Sequence, residues 1–207
     1  MTKNRLEAFS DGVFAIVITL LVIELRPPDI SENESLAHAL WELWPNYVAY
    51  LVSFAVIGVM WLNHHRIFVQ VRMVDGGLLA LNLNLLLWTA LIPFPTAVVA
   101  DYISEGGWNA RTAMAFYSGV LVFDAIAFNL LYAWTLRDDR ILGFHMSPEA
   151  IRAARRRFAF GIFVYLFALG LSFLAPWAAL ALHGVVALYY MFDQASVPAG
   201  EEPAPTS

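Results

Sequence analysis

The residues able to take part in chemistry lie at the start of the first apolar segment and at the end of the second. The first carries Arg5, Ser10 and Asp11, and the second carries the adjacent pair His64 and His65. Adjacent residues on a helix diverge by about 100°, so this pair lacks the i, i+4 spacing that chelates one metal ion. No His-Glu-x-x-His pattern is present either. The sequence therefore predicts neither a metal site nor an enzyme active site, and leaves structural hydrogen bonding or pH sensing as roles for the histidines.

The composition decides what kind of protein must position these residues. Hydrophobic residues make up 60% of the 207-residue chain and charged residues only 14%, whereas soluble domains average about half apolar and about a quarter charged. The net charge of −5, with scattered acidic residues, offers no basic surface for nucleic acid. The absence of cysteine excludes disulfides and thiolate chemistry. We therefore expect a protein of the lipid bilayer that does not bind nucleic acid.

Six segments are long and apolar enough to cross a bilayer. Backbone groups in lipid must be hydrogen-bonded internally, so uninterrupted blocks of this length predict an all-α fold. The segments are residues 5–25, 46–69, 74–100, 108–136, 158–174 and 177–192. We expect one transmembrane domain over residues 1–194, with an outer loop at 26–45 that can form a short interfacial helix. Residues 195–207, rich in proline, alanine and glutamate, are predicted to be a disordered tail.

Lysine and arginine predict the orientation in the membrane. If the N-terminus lies in the cytoplasm, all 12 lysine and arginine residues except Arg26 and Arg111 lie on the cytoplasmic side. This positive-inside bias, with six spans, places both termini in the cytoplasm. The length and the lack of organellar signals indicate the cytoplasmic membrane of a prokaryote.

The first segment carries an aliphatic stripe. At 100° per residue, Ile16, Leu20 and Ile23 share one narrow face, and Thr19 flanks it. By spacing alone, such a stripe is more often a packing or lipid-facing surface than a pore lining. Asp11 lies roughly 140° around the helix from Ile16. A carboxylate at this depth must face protein or water, so we expect an internal anchor paired with Arg5 or with polar groups of neighbouring helices.

Three stretches of sequence resemble the transmembrane protein 175 family of potassium channels. They are Arg5-x-x-x-Phe9-Ser10-Asp11-Gly12-Val13 in the first segment, Trp61–Phe68 in the second, and Asn82 and Asn84 with Pro93–Thr96 in the third. The resemblance covers the first three segments. The last three segments agree in number and hydrophobicity only.

The resemblance implies a potassium-selective channel, a homotetramer in prokaryotes, whose pore is lined by the first helix of each subunit. Ile16 corresponds to the family's constricting isoleucine, Leu20 and Ile23 to further pore-lining positions, and Thr19 to a pore-facing threonine. The family lacks the carbonyl filter of ordinary pore-loop potassium channels, and no Thr-Val-Gly-Tyr-Gly sequence occurs here. A hydrophobic constriction that selects by width and dehydration would favour K⁺ modestly over Na⁺, with K⁺ and other monovalent cations as the ions that interact with the channel. No cofactor is implied.

The resemblance also implies a polar network beneath the pore helix. In this network Trp61, His64, His65 and Asn82 would hydrogen-bond Ser10 and Asp11.

Two alternatives remain open from the residues. A secondary cation or proton-coupled transporter would show inverted repeats or broken helices, and neither is evident in the sequence. Asp124 in the fourth segment, with Asn129 beyond it, is either an ion or proton relay or a partner in helix packing.

Overall fold

The computed structural model describes residues 2–30, 35–142 and 147–195, and in these residues the fold is all-α. The first helix, α1 (Lys3–Leu20), continues as a 3₁₀ turn (Leu21–Glu24), and the helix α5 (Pro93–Tyr102) likewise ends in one (Ile103–Glu105). The remaining helices are α2 (Leu36–Glu42), α3 (Trp44–Gln70), α4 (Gly76–Leu91), α5 (Pro93–Tyr102), α6 (Gly107–Thr135), α7 (Asp139–Leu142), α8 (Pro148–Ser172) and α9 (Pro176–Ala195).

Four helical stretches in the described ranges are long and apolar enough to cross a membrane. They are Lys3–Glu24, Trp44–Gln70, Gly76–Glu105 and Gly107–Thr135, and they coincide with the first four predicted segments. The last two predicted segments contain shorter apolar helices, Gly161–Ser172 and Pro176–Phe192. The prediction of an all-α membrane protein with several spans is confirmed. The predicted tail begins at Ala195, the last residue of α9, and otherwise lies outside the described residues.

The third span is interrupted near its middle. Ile92 separates α4 from α5, and its N–H donates to the carbonyl of Thr89, three residues back, at 3.2 Å. Pro93 causes the break because it has no N–H for the regular bond and its ring crowds the preceding turn. The break is confined to the hydrogen bonding, because Ile92 keeps helical φ and ψ angles of −54° and −40°, and α4 and α5 together form one apolar stretch, Gly76–Glu105, where the sequence predicts a span over residues 74–100.

The fold is organised around α6. This helix packs against α4, α5, α8 and α9. Four of its large side chains are fully buried by these contacts: Met114, Tyr117, Leu121 and Leu131. The first helix instead lies at the side of the bundle, where it packs against α3, α4 and α5. One face of α1 is therefore left uncovered by the described part of the chain.

A polar cluster fixes the start of α4 to the end of α6. Asp75 caps α4 by accepting a 2.7 Å hydrogen bond from the Leu78 N–H. The same carboxylate accepts hydrogen bonds from Trp134 Nε1 and Arg137 Nη2, both at 3.0 Å. The bond from Leu78, with those from Trp134 and Arg137, lowers the pKa of Asp75 from its ordinary value. The Trp134 indole is thereby held in one orientation against the first turn of α4.

We expect Gly77→Ala to lower the thermal stability of the protein. A Cβ atom at Gly77 would overlap the indole ring of Trp134, which its bond to Asp75 holds in place. Overpacking of this kind typically costs about 1–3 kcal/mol. Gly76→Ala is the matched control, because a Cβ atom on Gly76 meets open space. Thermal unfolding of the purified variants in detergent checks this, and equal stability of the two variants would contradict it.

Candidate functional site

The two faces of α1 have different surroundings. Side chains at helical spacing on one face are buried against the bundle: Leu6, Ser10, Phe14, Val17 and Leu21. On the other face Ile16, Leu20 and Ile23 are 60%, 40% and 66% exposed. We call these three residues, together with the exposed Thr19, the α1 stripe. The structure thus places all four on one outward surface of the protomer and none of them in its core.

Thr19 is the only hydroxyl of the α1 stripe. Its Oγ1 lies 2.9 Å from the carbonyl oxygen of Ala15 and 2.8 Å from that of Ile16. The hydroxyl therefore donates its single hydrogen to its own helix. Its lone pairs remain available to a group outside the helix, so Thr19 presents an acceptor on an otherwise aliphatic surface.

The buried face of α1 is tied to α3 and α4 by hydrogen bonds. Ser10 Oγ donates to the Leu6 carbonyl at 2.9 Å and accepts from Asn82 Nδ2 at 3.0 Å. The amide oxygen of Asn82 in turn accepts from His64 Nε2 at 2.8 Å. Ser10, His64 and Asn82 are all buried. Polar groups of three helices thus satisfy one another in an apolar interior, where an unpaired group would be destabilising.

Asp11 extends this set at the protein surface. Its Oδ1 accepts a 2.9 Å hydrogen bond from Trp61 Nε1, so its partner is on α3. Among the described contacts, Asp11 pairs with this tryptophan and not with Arg5. We call the five residues of these two hydrogen-bonded sets, the buried trio and the Asp11–Trp61 pair, the polar anchor: Ser10, Asp11, Trp61, His64 and Asn82.

The other residues of the predicted signature and network lie outside the polar anchor. Arg5 and Phe9 are exposed near the start of α1. His65 stacks beside the Trp61 ring, with centroids 6.2 Å apart, and takes no part in the hydrogen-bond chain described above. The two adjacent histidines therefore occupy different environments, as their divergence on the helix predicts.

Aromatic packing also fixes the orientation of His64. Its ring stacks on Phe68 with centroids 4.3 Å apart and is tilted against Phe14 at 5.4 Å. No group of three or more metal-binding side chains occurs in the part of the chain that the structure describes. The position of His64, enclosed by aromatic rings and bonded to Asn82, fits a structural role.

Further buried polar contacts link helices behind α1. Asp124 on α6 lies 2.8 Å from the Thr89 hydroxyl on α4. Two other sets connect three helices each: Ser53, Thr96 and Tyr117, and Ser118, Ser172 and His183. Sequence reasoning identified Asp124 but missed these partners. The only sequence signal for these contacts was the presence of hydroxyl and histidine side chains within apolar segments. That signal does not specify which side chains pair with each other.

These features define a multi-pass helical membrane protein whose first helix is fixed by buried polar bonds and exposes an aliphatic stripe. The family model described as endosomal/lysosomal potassium channel TMEM175 matches residues 5–93, which include the whole polar anchor. A potassium channel of Streptomyces collinus is 45% identical, over 99% of this chain and 98% of its own. The chain therefore belongs to the TMEM175 family, which confirms the resemblance.

A solved structure shows a similar fold. The crystal structure of a lysosomal potassium-selective channel TMEM175 homolog from Chamaesiphon minutus has a TM-score of 0.82 and 40% identity, covering 93% of this chain and 97% of that one. The human endosomal/lysosomal proton channel TMEM175 is 41% identical over 40% of this chain but only 18% of its own length. The family and these relatives are ion channels, not enzymes.

We expect Asn82→Leu to destabilise the protein by about 1–3 kcal/mol, because it leaves His64 Nε2 and Ser10 buried without their amide partner. Asn84→Leu is the matched control, because it is the same substitution on the same helix. Asn84 is half-buried, and its side chain lies on the opposite side of α4 from Asn82. Thermal unfolding in detergent measures both. A loss of stability in Asn84→Leu as large as in Asn82→Leu would argue against a specific role for the anchor.

Proposed function

We propose that this protein is a potassium-selective channel whose pore is lined by the α1 stripe of several copies. The observation that carries the proposal is the orientation of α1, which buries one face of the helix and exposes the aliphatic residues Ile16, Leu20 and Ile23. The relative from Streptomyces collinus is named a potassium channel, and the fold neighbour from Chamaesiphon minutus is a potassium-selective channel. Both relationships extend over more than nine-tenths of this chain.

The aliphatic character of the α1 stripe determines the mechanism of selection that we propose. Isoleucine and leucine side chains offer no oxygen to a cation, so passage through a ring of them depends on its width and on loss of water. K⁺ holds its hydration shell less tightly than Na⁺. The outward lone pairs of Thr19 supply replacement oxygens next to Ile16. Together these features give a modest preference for K⁺ over Na⁺.

Assembly is part of the proposal, because one protomer offers a single α1 stripe and one helix does not enclose a pore. No internal repeat is evident in the sequence, so further stripes must come from further copies arranged about a symmetry axis. We propose a homotetramer without a pore loop. Each protomer would cross the cytoplasmic membrane of a prokaryote six times, with α8 and α9 as the last two spans and both termini in the cytoplasm.

The proline-induced irregularity between α4 and α5 is the feature that keeps a secondary cation or proton-coupled transporter as the alternative. Broken helices beside buried polar groups occur at the substrate sites of secondary transporters, and here Asp124 bonds Thr89 three residues before Ile92. A transporter moves a fixed number of ions per conformational cycle, whereas a channel passes many per opening. Single-molecule current steps in a planar bilayer would support the channel, and saturating flux without such steps would support the transporter.

We expect Ile16→Asn to increase cation conductance and to move the K⁺/Na⁺ permeability ratio towards one. An amide at the narrow ring offers polar atoms to hydrated ions and so reduces the penalty for the more strongly hydrated Na⁺. Reversal potentials of purified protein in planar bilayers measure the ratio. Val185→Asn is the matched control, because Val185 on α9 is as exposed as Ile16 but lies outside the α1 stripe. Unchanged conductance and selectivity in Ile16→Asn would remove Ile16 from the constriction.

We also expect Ile16→Cys to cross-link between copies. The chain contains no cysteine, so a single introduced thiol reports one position without background. If the α1 stripes converge on a common axis, a short thiol cross-linker yields covalent dimers on a denaturing gel. Val185→Cys, treated identically in the same liposomes, should remain largely monomeric. Dimers from Val185→Cys alone would contradict the proposed arrangement of α1.

A further inference from the structure

A buried carboxyl group lies inside the helix bundle, away from the α1 stripe. Asp124 is 0% exposed. Its Oδ1 lies 2.8 Å from the hydroxyl oxygen of Thr89, and its Oδ2 has no hydrogen-bond partner in the described part of the chain. The described contacts of this carboxyl include no lysine or arginine. An ionised carboxylate in such a place would be neither paired with a cation nor fully hydrogen-bonded, which is strongly unfavourable.

The hydrogen atoms available at Thr89 limit the charge state of Asp124. Thr89 Oγ1 lies 3.1 Å from the Leu85 carbonyl and 2.8 Å from Asp124 Oδ1. A hydroxyl has one hydrogen, and a carbonyl and a carboxylate are both acceptors. With an ionised Asp124, the two contacts must therefore share one hydrogen. With a protonated Asp124, its O–H donates to Thr89, Thr89 donates to Leu85, and both short contacts are complete hydrogen bonds.

The unpaired Oδ2 atom fits the same state. In a carboxylic acid this atom is a neutral carbonyl oxygen, which tolerates the absence of a partner far better than a carboxylate oxygen that carries part of a charge.

The ionisable groups around the site supply no compensating positive charge. The helix α4 contains none, and α5 carries Asp101 and Tyr102 at its exposed far end. From α8, Tyr165 packs against the core, and a phenol carries no positive charge in either protonation state. The histidine of α9, His183, is hydrogen-bonded to Ser118 and stacks near Tyr165. On α6 itself, Tyr117 bonds Ser53.

We propose that Asp124 is a proton-binding site, at which a neutral carboxylic acid holds one proton inside each protomer by donating it to Thr89. The bound proton joins α6 to α4 beside the break at Ile92, and both α4 and α5 contact α1. Release of the proton would leave a buried charge that drives these helices apart or draws in water. The proton is thus a ligand of the scaffold behind the α1 stripe, and its presence does not depend on the proposed channel function.

Infrared spectroscopy of the purified protein at neutral pH tests this directly. The wild type is expected to show the C=O stretching band of a protonated carboxylic acid, which shifts when H₂O is exchanged for D₂O. Asp124→Asn should abolish this band. Asp101→Asn, which removes an exposed carboxyl of α5, is the matched control and should reduce only the carboxylate bands. If Asp124→Asn instead reduces the carboxylate bands, Asp124 is ionised and the proposal is wrong.

A second variant keeps the proposal testable if Asp124→Asn does not fold. Thr89→Val retains the acid but removes the acceptor of its proton, so the C=O band should move to higher frequency without disappearing. A band at the wild-type frequency in Thr89→Val would overturn the assignment, because the acid would then have another partner or belong to another residue. Size-exclusion chromatography shows which variants fold.

Discussion

The orientation of α1 depends on one constraint: polar groups inside a membrane bundle must find their partners within the protein. Apolar residues alone do not decide which face of this helix turns inward, because Phe14 and Val17 on the buried face are no more hydrophobic than Ile16 and Leu20 on the other. Ser10 breaks that symmetry. Its hydroxyl meets Asn82, which is also bonded to His64, so any large rotation of α1 would leave buried polar groups unpaired. The exposure of the α1 stripe is a consequence of this anchor.

The same constraint explains how much the sequence could predict. Helical periodicity was sufficient for the stripe formed by Ile16, Leu20 and Ile23, because this pattern is local. The participation of Ser10, His64 and Asn82 in one network followed from the family resemblance, but that prediction also included His65, which lies outside the chain of bonds. Specific partners depend on contacts between residues up to 72 positions apart, such as Asn82 with Ser10. Side-chain spacing within one helix carries no information about them.

The break in the third span and the buried hydroxyls show a second limit. Pro93 was visible in the sequence, yet hydropathy and length describe residues 74–100 as one apolar block. Hydroxyl side chains in helices are ambiguous in a similar way, because each can bond its own backbone or a neighbouring helix. Among the described residues Thr19 bonds only its own helix, whereas Thr89 also reaches Asp124. Only the packing of α4 against α6 distinguishes the two cases.

The aliphatic constriction that we propose would place strict demands on the helix that carries it. A filter of oxygen atoms can follow an ion as it moves, but an apolar ring discriminates by width alone, so its radius has to be held by the surrounding structure. On an ideal helix Ile16 and Leu20 differ by about 40° in direction. A rotation of α1 of that size would therefore change which side chain forms the narrowest ring of the pore. Hydrogen bonds to two neighbouring helices, through Asn82 and Trp61, resist such a rotation more effectively than apolar contacts, which tolerate sliding. In a channel of this kind the polar residues that never meet the ion would control selectivity as strongly as the apolar residues that do.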